Sequence, residues 1–377
     1  MAYNKNLLIV FGTRPEALKM IPLIKKLKNE SVFETKVCVT AQHRDMLDQV
    51  LDTFYIDPDF DLNLMSKNQT LSNLTSKILI GINSVLDSFK PDLVFVHGDT
   101  TTTFAISLAC FYKKINVAHV EAGLRTYDLY SPWPEEFNRQ ITSKISKYHF
   151  SPTEKSKKNL INENIPNKNI IVTGNTIIDT LYLALDLIKQ KKLDILYKQN
   201  FDFDLAKKTI LITAHRRENF GLGISNICNA IHKLSKKFIN INFVYPVHLN
   251  PNIKEIVEKK LSNLHNVFLI EPLAYLEFIF LMNKSSIILT DSGGVQEEAP
   301  SLNKPVLVMR DTTERPEAVE FGKVKLVGTN TNLIINEVSK LLEDKLYYKS
   351  FLKNANPYGD GTASEQIINF LKEQKNV

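Results

Sequence analysis

The sequence predicts an α/β protein of two doubly wound, Rossmann-like domains that face one another across a cleft, and three observations predict it. Short apolar runs alternate with helical periodicity along most of the 377 residues, the order that builds parallel sheets. The runs fall into two sets, one on each side of a lysine-rich stretch, 189–208, that reads as a connector. Several runs end directly in Gly, Thr, Asp or His, so polar groups collect at the carboxyl edges of both sheets, where doubly wound folds bind ligands. The expected boundaries are 1–173 and 174–358, with a last helix in 359–377 crossing back to pack on the first domain.

In the first set, strand 7–11 precedes Gly12-Thr13-Arg14-Pro15-Glu16 and a helix with the apolar stripe Leu18, Ile21, Leu23, Ile24 and Leu27. Thr13 and Glu16 have capping-box spacing, with Pro15 in the first turn. Pro22 should kink or split this helix, because it removes a backbone donor. Arg14 stands at the mouth of the strand, where a phosphate would meet a helix N-terminus, and Lys19 about one turn further in. Strand 36–40 leads to Ala41-Gln42-His43-Arg44 and a helix to about residue 54. Leu71, Leu74, Ile78, Ile82, Val85 and Phe89 mark another helix, which Pro91 stops.

Strand 93–97 ends in Gly98-Asp99 and the threonines 100–103, which suit a helix cap better than a helix interior. Strand 116–120 delivers Glu121 to the same edge, and the stiff loop Ser131-Pro132-Trp133-Pro134 presents Glu135. Strands 148–150 and 170–173 close the sheet. Singly, Asp99, Glu121 and Glu135 are ordinary cap or loop residues; jointly, at one edge, they read as an acid/base wall.

Composition excludes several classes of function. A 44% hydrophobic content is ample for real cores. The formal charge of +6 is spread among interleaved acids and bases with no long basic block, which argues against a nucleic-acid partner. Cys38, Cys110 and Cys228 sit apart in apolar patterns and read as buried hydrophobes in a reducing compartment. No apolar run approaches the ~20 residues of a bilayer span, and 7–11 is too short for a signal-peptide core, so no membrane partner and a cytoplasmic location are expected.

The second set comprises strands at 209–213, 242–245, 267–270, 286–290, 306–309 and 324–327. The first ends in Ala214-His215-Arg216-Arg217, where a histidine before two arginines reads as facing an anion. The fourth runs into Asp291-Ser292-Gly293-Gly294 and a helix from near Val295. The free N–H groups and partial positive charge of such a helix start suit a diphosphate. Glu298 follows one turn beyond Gly294, placed for a ribose diol, and the fifth strand brings Arg315 to the same edge. A Ser-Gly-Gly turn alone usually only caps a helix; Glu298 and Arg315 tip the reading toward a nucleotide site.

Other chemistries lack their signatures. Gly221-Leu222-Gly223 comes nearest to a dinucleotide fingerprint and lacks the third glycine; there is no Tyr-x-x-x-Lys pair and no His-Glu-x-x-His. Asp57-Pro58-Asp59, Asp59-Phe60-Asp61 and Asp202-Phe203-Asp204 have the spacing of metal-binding acidic pairs but fall where linkers are expected.

Gly12-Thr13-Arg14-Pro15-Glu16, Ala41-Gln42-His43-Arg44, His97-Gly98-Asp99-Thr100, His119-Val120-Glu121-Ala122-Gly123-Leu124-Arg125, Ser131-Pro132-Trp133-Pro134-Glu135-Glu136, His215-Arg216-Arg217-Glu218, Asp291-Ser292-Gly293-Gly294, Arg315-Pro316-Glu317 and Asn356-Pro357-Tyr358-Gly359-Asp360-Gly361 together resemble the non-hydrolysing UDP-N-acetylglucosamine 2-epimerases. The resemblance spans nearly the whole chain. It implies the GT-B fold, with 174–358 as the UDP-binding domain, and a homodimer without metal or redox cofactor. It also implies interconversion of UDP-N-acetylglucosamine and UDP-N-acetylmannosamine, supplying precursors for surface polysaccharide. By the same resemblance Arg14, Lys19, His215, Phe278, Ser292, Gly293, Gly294, Glu298 and Arg315 match nucleotide-sugar contacts, His215 counting among the catalytic residues. Asp99, Glu121 and Glu135 match the acid/base carboxylates. A second, regulatory UDP-N-acetylglucosamine site is implied at Gln42, Gln69, Glu135, Arg216 and His248, with Asn68 where some relatives carry arginine.

The chemistry explains these residue types. The sugar C2 proton is not next to a carbonyl, so its direct removal is prohibitive, whereas elimination of UDP to an acetamidoglucal avoids the carbanion. Arg14, His215 and the Ser292-Gly293-Gly294 helix start would hold the departing diphosphate. Which carboxylate takes the proton and which returns it stays open. A GT-B glycosyltransferase, a hydrolysing epimerase and a nucleotide-sugar sensor are the rival readings.

Overall fold

A computed structural model describes residues 5–41, 44–66 and 69–374. They divide into two compact units, Met1–Thr180 with Gly359–Val377, and Leu181–Tyr358. The chain leaves the first unit inside the helix Thr176–Gln190, at Thr180 and not at 173.

The first unit is built on seven parallel strands: β1 Lys5–Phe11, β2 Phe33–Val39, β3 Phe60–Asp61, β4 Leu93–His97, β5 Asn116–Val120, β6 Tyr148–Ser151 and β7 Ile170–Val172. Their order is β3-β2-β1-β4-β5-β6-β7, so the winding reverses between β1 and β4. Phe60 and Asp61 thus form an edge strand and not a linker, paired with Cys38 and Val39 and pinned where the Asp59 carboxylate accepts the Val37 N–H at 2.8 Å. On one face, Leu8, Val10, Val94 and Val96 meet the helices Leu71–Phe89 and Thr101–Tyr112 through Ile78, Ile82, Ala105 and Ile106. Cys38 and Cys110 belong to this core, and burial pushes both thiols up to about 12.

The helix Arg14–Lys28 runs through Pro22 without a break. Proline offers no N–H to the carbonyl four residues back, which leaves Leu18 C=O without its helical donor. The Thr180 hydroxyl donates to that carbonyl at 2.5 Å, so a side chain from the end of the unit replaces the missing helical bond. The helix Ala363–Glu373 completes this unit: the buried Asp179 carboxylate accepts its first N–H groups, from Ala363 and Ser364, at 3.2 and 2.9 Å. Phe370 stands edge-on against Tyr148 and Phe150.

The second unit carries six parallel strands: β8 Thr209–Thr213, β9 Asn242–Pro246, β10 Val267–Ile270, β11 Ile287–Thr290, β12 Val306–Val308 and β13 Val324–Leu326. Their order is β10-β9-β8-β11-β12-β13, with the reversal between β8 and β11. Ile210, Ile212, Phe243, Tyr245, Ile287 and Leu289 pack against Ile227, Ile231 and Leu234 of the helix Leu222–Lys237. The stretch expected as a plain connector contains a helix of its own, Leu193–Gln199.

The Pro22 compensation is testable. Thr180→Val keeps the shape and removes the donor, and leaving a buried carbonyl unpaired should cost about 1–3 kcal/mol in urea unfolding. In a Pro22→Ala background, where the helical N–H returns, the same substitution should cost less; equal costs would show that Thr180 does not serve Leu18.

Candidate active site

Each sheet opens at its point of reversal, and a buried carboxylate ties the two diverging loops there. In the first unit it is Glu16. Its Oε2 accepts the N–H groups of Gly12 (3.1 Å) and Thr13 (2.9 Å) and the Thr13 hydroxyl (2.8 Å), while Oε1 accepts the Thr100 hydroxyl at 2.7 Å. The capping box read from Thr13 and Glu16 is therefore present, and it also reaches across from the β1 loop to the β4 loop. Burial drives the Glu16 carboxyl up, against these hydrogen bonds. Gly12 is required by close approach: a Cβ there would overlap Thr40 Oγ1 and sit 2.6 Å from Thr102 Oγ1. Thr100 caps the helix Thr101–Tyr112 through the Thr103 N–H.

This stapled edge presents two expected carboxylates, each held by its own cation. Asp99 Oδ2 accepts Arg139 Nε at 2.9 Å and Nη2 at 2.6 Å, and Asn138 donates to the Asp99 carbonyl at 2.9 Å. Glu121 lies just past β5 with φ +62, a left-handed conformation that costs a non-glycine residue strain. Its Oε2 accepts from Lys19 Nζ and, at 2.7 Å, from Asn175 Nδ2. Lys19, expected among the nucleotide-sugar contacts, is thus placed against a carboxylate of the first unit.

Glu135 is the first residue of the helix Glu135–Ile145 and not part of the loop before it. Its neighbour Glu136 is fully buried and organises that loop, accepting the N–H groups of Thr126 (3.0 Å) and Tyr127 (3.1 Å). Burial opposes its charge, but the hydrogen bonds from Gln140, Thr126, Arg139 and Tyr127 outweigh burial and lower its pKa. Arg139 links Glu136 to Asp99, at 3.1 Å from Glu136 Oε2.

In the second unit the staple is Asp291, just past β11 and fully buried. Its carboxylate accepts the His215 N–H (2.9 Å to Oδ2), the Arg216 N–H (2.8 Å) and Asn219 Nδ2 (3.0 Å), so the loop after β8 is fixed by the loop after β11. The Thr213 and Thr290 hydroxyls, opposite one another in the β8–β11 register, also pair. The His215 imidazole lies 3.7 Å from Asp291 Oδ1 and is stacked on His248, with centroids 5.8 Å apart. Partial burial and the neighbouring His248 and Arg216 lower its pKa, while Asp291 pulls it up.

The helix after Asp291 begins at Gly293, two residues earlier than expected, with Ser292 as its cap. A Cβ on Gly293 would lie 3.4 Å from Arg216 Nη2 and 4.0 Å from Arg315 Cζ, so two guanidiniums flank the helix start. Arg315 is aimed by Glu297, whose Oε1 accepts its Nε at 2.6 Å; Arg216 Nε is buried and makes no hydrogen bond among the described residues. Glu298 is buried, and its Oε1 accepts the Tyr275 hydroxyl at 2.6 Å. Phe278 is half-buried on the same helix as Tyr275, Tyr275–Lys284.

Of the regulatory residues, His248 is exposed beside His215, Gln69 accepts from the Ser66 hydroxyl at 2.9 Å, and Gln42 and Asn68 lie outside the described residues. Among the described residues no three His, Cys, Asp or Glu side chains group as a metal site.

Sequence reasoning did not single out Arg139, Asn175, Tyr275 or the stapling role of Asp291. Arg139 had a signal, since it follows Glu136 by three residues on a helix; Asn175 had none, because it reaches Glu121 only through the fold. Asp291→Ala leaves the N–H groups of His215 and Arg216 without an acceptor. It should cost at least about 1.5–3 kcal/mol of stability and raise amide exchange at 215–219 first; unchanged protection there would remove Asp291 from this role.

The protein-family model described as UDP-N-acetylglucosamine 2-epimerase matches residues 25–372. A UDP-N-acetylglucosamine 2-epimerase of Neisseria meningitidis is 56% identical over 369 residues, 98% of this chain and 99% of the relative. The enzyme of that name from Escherichia coli K12 is 55% identical over 370 residues, 98% of each chain. The crystal structure of the Neisseria meningitidis UDP-GlcNAc 2-epimerase bound to UDP-GlcNAc superposes with a TM-score of 0.90 at 56% identity, covering 98% of this chain and 100% of that one. By the family model, the identity and the shared fold, the chain belongs to the UDP-N-acetylglucosamine 2-epimerase family.

Proposed function

We propose that the protein is an isomerase that inverts C2 of UDP-N-acetylglucosamine to give UDP-N-acetylmannosamine, reversibly, through an enzyme-held glycal. A carboxylate takes the C2 proton, the C–H electron pair forms the C1=C2 double bond of the acetamidoglucal, and the C1–O bond breaks with its pair leaving on UDP. A proton then reaches C2 on the opposite face, and the diphosphate oxygen adds back to C1. The observation that carries this reading is the pair of carboxylates at one sheet edge, Asp99 and Glu121, each held by a cation. Inversion needs proton transfer on both faces of C2, and a glycosyltransferase needs one base at most. Glu135 is the third candidate acid/base.

In this reading the second unit takes the nucleotide. Arg315, His215 and the helix start at Ser292-Gly293-Gly294 receive the charge that develops on the leaving diphosphate, with Arg14 of the first unit joining them. Glu298, oriented by Tyr275, accepts from the ribose, and Phe278 offers a ring face to the uracil. Lys19 donates to Glu121, an arrangement that favours the carboxylate form of this candidate base. Among the described residues no helix is long and apolar enough to cross a membrane; we place the enzyme in the cytoplasm, as a homodimer, upstream of surface-polysaccharide assembly.

Incubation with UDP-N-acetylglucosamine in heavy water, followed by proton NMR, tests the reaction. The expected outcome is loss of the C2 proton signal together with a UDP-N-acetylmannosamine signal. Transfer without exchange would instead indicate a glycosyltransferase, and stoichiometric free N-acetylmannosamine a hydrolysing enzyme. Asp99→Asn, Glu121→Gln and Glu135→Gln should each lower kcat by about 10²–10⁴-fold while UDP affinity stays the same; near-normal turnover in all three would refute the assignment. Glu298→Ala should weaken UDP by about 1.5–3 kcal/mol, and Tyr275→Phe by less, in calorimetric titration.

Gln42, Gln69, Arg216 and His248, with Glu135, form the proposed regulatory site for a second UDP-N-acetylglucosamine. The reverse reaction from pure UDP-N-acetylmannosamine should then stay slow until UDP-N-acetylglucosamine is added, and His248→Ala should blunt that activation. Full reverse activity without a lag would show that the switch is absent.

A further inference from the structure

Glu121 Oε2 is gripped by donors. Lys19 Nζ and Asn175 Nδ2 both donate to it, an arrangement that favours the carboxylate over the acid. The reaction proposed above, on which this inference rests, makes a basic carboxylate into an acid within each turnover. A proton on Oε2 would then need an acceptor, and neither an ammonium nor an amide N–H can be one.

The third group at that oxygen is of another kind. His97, the last residue of β4, is 4% exposed, and its Nε2 lies 3.9 Å from Glu121 Oε2. That nitrogen makes no hydrogen bond among the described residues, a costly state for a buried polar atom. Burial lowers the His97 pKa to about 4, with Glu121 pulling it up and Lys19 pushing it down, so the ring is neutral at ordinary pH and has a lone pair to offer. The other titratable group facing it is His119. That ring is also buried and neutral, held down to about 3, and is tied through Nε2 to the Gly98 carbonyl at 2.7 Å. Asp99, two residues along the chain, is already engaged by Arg139.

We propose that His97 is a positioning residue for Glu121: with its proton on Nδ1, its Nε2 accepts the hydrogen bond of the protonated Glu121 carboxyl. The proton taken from carbon resides on Oε2 and points at Nε2; His97 does not take it, and it leaves by the same oxygen. Contraction from 3.9 Å to a hydrogen bond of about 2.8 Å needs only a side-chain shift of about 1 Å. Lys19 and Asn175 hold the carboxylate, His97 holds the acid, and Glu121 can pass between the two forms without leaving its place.

The test compares His97→Gln, which keeps an acceptor of similar reach, with His97→Met, which has similar bulk and only a weak one. Loss of the acceptor destabilises the acid form, so the Glu121 pKa falls and the base weakens. The Met variant should therefore lose about tenfold in kcat with KM and UDP affinity little changed, and its acidic limb should move to lower pH. The Gln variant should recover most of the rate and the wild-type limb. If the Met variant does not fold, His97→Asn takes its place, its acceptor being too short to reach Oε2. Equal losses in the Gln and Met (or Asn) variants with an unmoved acidic limb would overturn the proposal, as would full activity in the Met variant. If wild-type protein exchanges the C2 proton and these variants are indifferent, this inference alone fails; if wild-type protein does not exchange it, the reaction assignment fails.

Discussion

Two buried carboxylates, one in each unit, organise the open edges of the sheets. A doubly wound sheet parts at its point of reversal, and the loops that leave it carry backbone N–H groups with no strand partner. Glu16 gathers those of Gly12 and Thr13 and the Thr100 hydroxyl; Asp291 gathers those of His215 and Arg216 and the Asn219 amide. The two arrive differently, Glu16 from the helix after the first central strand and Asp291 from the loop after the second. The outcome is the same: Arg14, Asp99, His215 and Arg216 each lie within one residue of a hydrogen bond to a staple. Arg14 follows Thr13, Asp99 precedes Thr100, and His215 and Arg216 are themselves the donors. A charged acceptor is suited to this task because one group can satisfy several donors in fixed directions.

On that frame the charges are sorted by unit. The first unit offers carboxylates paired with cations, Asp99 with Arg139 and Glu121 with Lys19. The second offers guanidiniums at a helix start, with Arg315 aimed by Glu297 and Arg216 Nε making no hydrogen bond among the described residues. In the elimination proposed above, the carboxylates serve the proton transfer and the guanidiniums meet the charge of the leaving diphosphate. Preorganisation matters because dipoles and charges already in place need no reorganisation as the bond breaks.

How far this could be read from sequence depended on whether a residue's role was local. Alternating apolar runs and helical stripes announced both sheets, and Thr13 with Glu16 announced a cap, because those patterns are set within a few residues. Phe60-Asp61 did not read as a strand: two residues carry no period, and the pairing is defined by Val39 across the sheet. The carboxylates were legible as strand-end residues, but their partners were not. Asn175 meets Glu121 across 54 positions and Arg139 meets Asp99 across 40, and no spacing rule reaches so far. Lys19 shows the same limit, since the sequence places it about one turn beyond Arg14 and gives no sign of its ion pair with Glu121.

Three departures from local rules meet at or beside one sheet edge. Pro22 sits inside the helix that carries Arg14, Glu16 and Lys19, Glu121 holds a left-handed backbone, and the buried His97 keeps an unpaired nitrogen; all three belong to the first unit's open edge or to the helix that leads from it. Consistency between local preference and global fold is what a stable sequence accumulates, so breaches of it persist where something else is gained. For Pro22 the breach is repaired by Thr180, which makes it a matter of stability. The left-handed Glu121 has a different justification, for its side chain ends among Lys19, Asn175 and His97, three groups supplied by a helix, a loop and a neighbouring strand. Strain at one residue is a small cost for bringing a base into such company. The unpaired nitrogen of His97 has no structural repair among the described residues, and that separates it from Pro22: a defect left open beside the carboxylate proposed to change its charge fits the proposed chemistry better than the needs of the fold.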